Sequence, residues 1–256
     1  MELIPISTGI LKPGDDIATV VQQTILLHEG DILVFSSKAV ATVEGAHIDL
    51  ADIQPSPEAY LLAKACGQTP ESREATLQEL HRMNGRIAGK CPRALLTELQ
   101  PNGMTQGSIL VASAGLDHSN TKAGTVIGWP RDPVESIRRL RKVLEVAVIL
   151  SDSCLRPARK GVTAFAIAVS GINPFRSDIG RPDIFGKPLK MTVEAVADQL
   201  ATAANILMGN ADQCIPAVVI RDSGIALSDF EGWVPGIEPE QDIFRDLTLA
   251  QAREIG

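Results

Sequence analysis

The chain has 256 residues, is 45% hydrophobic and 21% charged, and carries a net charge of −7, the balance of a globular protein with a sizeable core. Aromatics are only 4%, too few for base-stacking platforms, and the acidic balance argues against a nucleic-acid or anionic-membrane partner. The opening Met-Glu-Leu-Ile-Pro-Ile has no signal-peptide pattern and no apolar run reaches transmembrane length, so a soluble cytoplasmic protein is expected.

In chain order, residues 3–6 read as a short strand, and Lys12-Pro13-Gly14-Asp15-Asp16 as a turn that caps a helix. Ile17, Val20, Val21, Thr24 and Ile25 then recur at helical spacing. Residues 32–35 are a strong apolar strand that releases Ser36, Ser37 and Lys38 into a loop, a common ligand position in sheets with helices packed on them. Residues 59–65 and 71–83 carry two helical patterns, the first ended by Gly67. Residues 94–99 and 108–113 are expected strands, and the second empties into Ala114-Gly115-Leu116-Asp117-His118-Ser119-Asn120.

Asp132, Pro133 and Glu135 open a helix as N-cap, first position and third position. Its face of Arg138, Arg139, Arg141 and Lys142 is expected to be merely solvated. Residues 145–150 are apolar and β-branched, a strand buried on both faces. It delivers Asp152 and Ser153 into a loop over 151–161 with Arg156, Arg159 and Lys160 close behind. A carboxylate beside a hydroxyl suits a hard divalent ion, and the cations suit phosphate or carboxylate oxygens.

Residues 162–170 are another buried strand. Residues 173–190 are irregular, rich in Gly, Pro and charge, with Arg176, Arg181 and Lys187 suggesting a lid. Thr192 is expected to cap a helix with Val193, Val196, Leu200, Ala204 and Leu207 on one face, and residues 215–220 form a further strand. The last thirty residues are acidic and weakly patterned, apart from a final helix expected over 247–255. The four cysteines, at 66, 91, 154 and 214, lack metal-finger spacing and read as reduced thiols, with Cys154 as packing. No standard phosphate-binding, zinc-protease or hydrolase motif is present. Helices and strands do not alternate strictly, so a mixed-sheet α+β architecture is expected. It would form one catalytic domain over 1–256, or two closely packed parts.

These stretches, with Glu44-Gly45, Asp183 to Gly186 and the run from Leu207 to Arg221, resemble the coenzyme F420-0:γ-glutamyl ligases, which add L-glutamate to F420-0 using GTP and divalent metal. The resemblance runs from residue 12 to 221. It implies a two-part α+β fold that dimerises with its sites near the subunit interface. It implies Asp117 and Asp152 as ligands of Mg²⁺ or Mn²⁺, with two ions expected and Ser153 at the second. Ser37, Lys38 and Asn120 would lie against the nucleotide, GTP or ATP. The backbone of Thr8, Gly9, Ile10 and Leu11, and the turn holding Met208, Gly209 and Ala211, would add further nucleotide contacts.

Asp152, Arg156 and Arg159 are the residues expected to carry catalysis, the arginines by holding acceptor or glutamate carboxylates. Asn210 stands where the family usually has Glu or Gln as a metal ligand, Thr42 where it often has Lys, and Leu155 and Ala158 where Gly and an aromatic are common. The acceptor is F420-0 or, as in some relatives, a folate or pteroate. The rival expectation is a catalytically weak nucleotide- or pterin-binding protein of the same fold.

Overall fold

The computed structural model describes residues 1–245. The helix expected over 247–255 lies outside the described residues. From the N-terminus run β1 (Glu2–Ile6), α1 (Ile17–Thr24), β2 (Ile32–Ser36), α2 (Ser37–Val43), β3 (His47–Asp49), α3 (Pro57–Cys66) and α4 (Pro70–Arg82). Next come β4 (Arg86–Cys91), β5 (Ala94–Leu99), β6 (Ile109–Ala112), β7 (Thr125–Ile127), α5 (Pro133–Leu144), β8 (Ala147–Leu155) and β9 (Val162–Ile172). The described chain ends with β10 (Arg176–Ser177), β11 (Val193–Glu194), α6 (Val196–Met208), β12 (Ala217–Arg221) and β13 (Leu227–Trp233).

Six strands form a mixed sheet in the order β1-β12-β2-β8-β9-β13. Only β2 and β8 run parallel, with Ile32 opposite Ala147 and Phe35 opposite Leu150; every other pair in the sheet is antiparallel. A second sheet, β4-β5-β6, stands apart from it. This is the α+β, mixed-sheet class that the element pattern implies.

The central strands are apolar throughout because both faces are covered. Leu33, Phe35, Val148 and Leu150 face a core with Ile17 and Val21 of α1 and Ile137, Leu140 and Leu144 of α5. Ile32, Val34, Ala147 and Ile149 face the other way, onto Val196, Leu200, Ala201 and Ala204 of α6. Truncating a side chain such as Leu200 to Ala in that layer costs about 2–5 kcal/mol. Helix starts follow local chemistry: Asp16 accepts from the Ala18 and Thr19 amides, and Asp132 from Glu135, with Pro133 at the first position.

Four expectations are corrected. Residues 151–155 are not loop: β8 continues to Leu155 because Ser151 to Leu155 pair with Ala166 to Val162 of β9. Only 156–161 turn, with Ala158 (φ 56) and Gly161 (φ 101) in the left-handed region. Ser37 and Lys38 likewise leave β2 straight into α2 rather than a loop. Thr192 caps no helix, since Val193 and Glu194 pair with Ser177 and Arg176 and α6 begins at Val196. The supposedly featureless end contains β13, whose Trp233 is buried.

The basic face of α5 is also tied rather than simply solvated. Arg138 pairs with Glu135 (2.5 Å) and Glu231 (2.7 Å), Arg139 with Glu44 (2.7 Å), and Arg141 donates to Ser170 Oγ at 3.3 Å.

Candidate active site

The pairing register carries several chain segments to one end of the main sheet. Ile6 of β1 lies opposite Ala217 of β12, Ala217 opposite Phe35 of β2, and Phe35 opposite Leu150 of β8. Beyond that row the chain leaves as Thr8, Ser37–Lys38, the turn before Ala217, and Asp152. Backbone hydrogen bonds hold the ends together: Thr8 N–H donates to Cys214 O at 3.1 Å, and Ser36 N–H to Pro216 O at 2.9 Å. Segments more than 200 residues apart are therefore neighbours.

Lys38, at the start of α2, donates to Asp117 Oδ2, and its Nζ stands 3.9 Å from Asp152 Oδ1. Asp117 is anchored at its backbone, which exchanges hydrogen bonds with Ile127 at 2.8 and 3.0 Å. Its carboxylate also accepts from Ser119 N–H (2.9 Å) and Oγ–H (2.7 Å). Burial opposes ionisation of Asp117, but Lys38 and Ser119 outweigh it and bring the carboxyl down to about 2. Asp152 is the reverse case: its side chain is only 7% exposed, and burial pushes the carboxyl up against the pull of Lys38, Trp129 and the Ser153 amide. Burial also disfavours the Lys38 ammonium, yet the charges of Asp152 and Asp117 leave it more firmly protonated than a free lysine.

Two carboxylates sharing one cation are a donor set that fits Mg²⁺ or Mn²⁺, which take one or two carboxylates and complete their shell with water and phosphate oxygens. Among the described residues no group of three or more His, Cys, Asp or Glu offers an all-protein cage. Asn210 is a further expected metal ligand. It is exposed on the turn after α6, and among the described residues no hydrogen bond or ion pair joins it to Asp117 or Asp152.

The other expected residues are placed as follows. Ser153 follows Asp152 on β8, and Asn120 (φ 56) is exposed on the Asp117 loop. Ser37 is fully buried and its Oγ has no hydrogen-bond partner among the described residues. Gly9 and Ile10 are exposed and Leu11 half-buried beside the 208–215 turn, where Met208 is buried and Ala211 N–H is taken by Gln213 Oε1 at 2.9 Å. Arg156, Arg159 and Lys160 are exposed at the tip of the β8–β9 hairpin, with no salt bridge among the described residues. In the segment before α6, Arg176 and Arg181 pair with Asp178 (3.6 and 2.6 Å), leaving Lys187 as the member of that trio without an ion pair among the described residues.

Three supporting residues escaped the sequence reading. Trp129, 2% exposed, donates its indole N–H to Asp152 Oδ2 at 2.7 Å and meets Phe165 edge-on at 6.2 Å. Before Asp117, Ser113, Ala114 and Gly115 all have positive φ (48°, 54° and 78°). Thr97 fixes that turn by accepting from Ala114 N–H at 2.9 Å, and Arg73 by donating to Ser113 Oγ at 3.2 Å. No local motif marks Trp129, Thr97 or Arg73, because each acts through a contact distant in sequence.

The main sheet thus collects two carboxylates and an ammonium at one end, with hairpin cations that make no salt bridge among the described residues. Residues 5–222 match the family described as F420-0:γ-glutamyl ligase, and the chain belongs to that family. It is 37% identical to coenzyme F420:L-glutamate ligase of Methanopyrus kandleri, over 96% of this chain and 97% of the relative. The protein of the same name from Methanocaldococcus jannaschii is 36% identical over the same shares, and that of Archaeoglobus fulgidus 34% over 88% and 89%.

Proposed function

We propose that the chain is a nucleotide- and divalent-metal-dependent γ-glutamyl ligase that adds L-glutamate to the carboxylate of F420-0 or of a folate-type acceptor. The observation that carries this reading is the gathering of Asp117, Asp152 and Lys38 at the sheet end where β1 and β2 finish and β12 begins, in a chain of this family. In the reaction, the acceptor carboxylate attacks the γ-phosphate of GTP or ATP, releasing GDP or ADP as the bridging P–O bond breaks, and the glutamate amine then displaces phosphate from the acyl phosphate.

Asp117 and Asp152 would hold the divalent metal, with Ser153 alongside. The bound metal supplies charge neutralisation on the phosphates. Lys38 adds a fixed positive charge between the carboxylates, and Trp129 and the Ser153 amide keep Asp152 oriented. Arg156, Arg159 and Lys160 supply cations for substrate carboxylates. A homodimer belongs to the same reading, supported by exposed apolar side chains at Ile184 (93%), Phe185 (82%) and Met191 (86%).

The test is mass spectrometry of reactions holding GTP or ATP, Mn²⁺, L-glutamate and either F420-0 or a folate. A mass gain of one glutamyl unit on one acceptor is expected. No gain on either, with nucleotide bound, would overturn ligation in favour of a binding protein.

A further inference from the structure

A cleft of ≈ 270 Å³ opens beside the hairpin that carries Asp152, lined by Cys154, Phe165, Ile109 and Pro235 together with Arg156 and Asp198. It falls below the roughly 300–1,000 Å³ of sites for drug-sized ligands, a size for an amino acid rather than for the body of a large acceptor. Asp198 lies in the first turn of α6 and reaches across to β9, where its Oδ1 accepts from Ala166 N–H at 2.9 Å. The pairing of β8 with β9 shifts there, between Leu150 opposite Ala168 and Ser151 opposite Ala166. Next to Ala166 stands Phe165, the residue paired with Asp152. Asp198 Oδ2 has no hydrogen-bond partner among the described residues, and neither does the Arg156 side chain.

We propose that this cleft is the glutamate subsite, with Asp198 receiving the α-ammonium group and one of its protons, and Arg156 holding a carboxylate. The proposal rests on the acyl-phosphate ligase reading. A zwitterionic amino acid needs an anion for its ammonium group and a cation for a carboxylate, and Asp198 and Arg156, which interact electrostatically, line one cleft and offer that pair. The ammonium group must lose a proton before its nitrogen can attack, and Asp198 takes it. The nitrogen lone pair then forms the C–N bond and the C–O bond to phosphate breaks. Inorganic phosphate leaves with that electron pair and with the second nitrogen-bound proton. Burial raises the Asp198 carboxyl, against the pull of Ala166 N–H and Arg156, which suits a group that accepts and returns a proton.

A purely structural Asp198 would only cap the amide at the shifted pairing, and an asparagine does that equally well. Asp198→Asn therefore separates the two. With Mn²⁺ and a non-hydrolysable GTP analogue present, L-glutamate should bind wild type more tightly than glutarate, which lacks the amine. In Asp198→Asn, glutamate affinity should fall about 10- to 100-fold, the worth of a charged hydrogen bond, and that preference should vanish. Arg156→Gln should weaken both ligands. In turnover with F420-0 and GTP, hydroxylamine, an amine already neutral at pH 7, should trap hydroxamate at similar rates in wild type and Asp198→Asn, while glutamate ligation fails only in the variant. Wild type that binds no glutamate, or an Asp198→Asn variant that keeps its preference for glutamate, overturns the subsite. No hydroxamate from wild type would instead count against the acyl phosphate, with the binding measurements still deciding the subsite.

Discussion

Trp129 and Asp152 are joined by a 2.7 Å hydrogen bond from the indole N–H to Oδ2, while the Ser153 amide holds Oδ1 at 2.8 Å. Both carboxylate oxygens are thus aimed by groups that are themselves fixed by packing. Trp129→Phe keeps the aromatic contact and removes the donor. It should lower ligation or metal affinity about 10- to 100-fold, as loss of a residue orienting a metal ligand typically does. The stability cost should be about 1–3 kcal/mol. A metal titration beside a urea melt checks both, and an unchanged titration would refute the positioning role.

Gly115 lies against the same indole. A Cβ there would fall 2.8 Å from Trp129 Cε2, at a φ of +78°. Gly115→Ala should destabilise by about 1–3 kcal/mol through strain and overpacking, and should reduce activity by displacing Trp129. Equilibrium unfolding reads the first effect and initial rates the second. A variant matching wild type in both would show that the turn yields freely.

Asp152→Ala should abolish ligation yet leave the melting temperature equal to or above that of wild type. Burial already disfavours this carboxylate, and sites built for function commonly sacrifice stability. Activity near wild type in a normally folded variant would remove Asp152 from the mechanism.

Asn210→Glu tests the departure at the turn after α6. If that turn closes on the metal when substrates bind, the added carboxylate should move metal activation to lower concentration, because it brings a charge that the amide lacks. A titration that overlays wild type would remove Asn210 from the ligand set and leave Asp117 and Asp152 standing.

At the far end of β2, Asp31 is 2% exposed and takes two hydrogen bonds from Arg221, at 2.9 and 2.6 Å. Burial opposes its ionisation, but Arg221 and the His28 amide prevail and hold the carboxyl below its usual value. Its stabilisation is therefore fully present above an unfolded pKa of about 3.9 and is lost as pH falls through the lower folded value. Asp31→Ala should lower stability at neutral pH, because it removes the carboxylate that Arg221 and the His28 amide hold. It should also flatten the acid limb of the stability curve. Parallel pH–stability profiles for the two proteins would exclude the pair as the cause.

What the sequence determined by itself was whatever depends on neighbours along the chain. The apolar runs at 32–35 and 145–150, the capping residues Asp16 and Asp132, and the placing of Asp117 beyond a strand are all local patterns. They specify elements without long-range information. Pairing partners decided the rest. Asp152 reads as loop in the sequence because polar residues follow Leu150, yet the facing run of β9 extends the ladder to Leu155. Val193 has helical spacing but sits in a ribbon because Ser177 lies opposite. The Asp117–Lys38–Asp152 cluster, Trp129 behind Asp152 and the Asp198–Arg156 cleft join residues 23 to 114 positions apart. Such contacts exist only once the sheet register has been set, since it is the register that carries separate strand ends to the same edge.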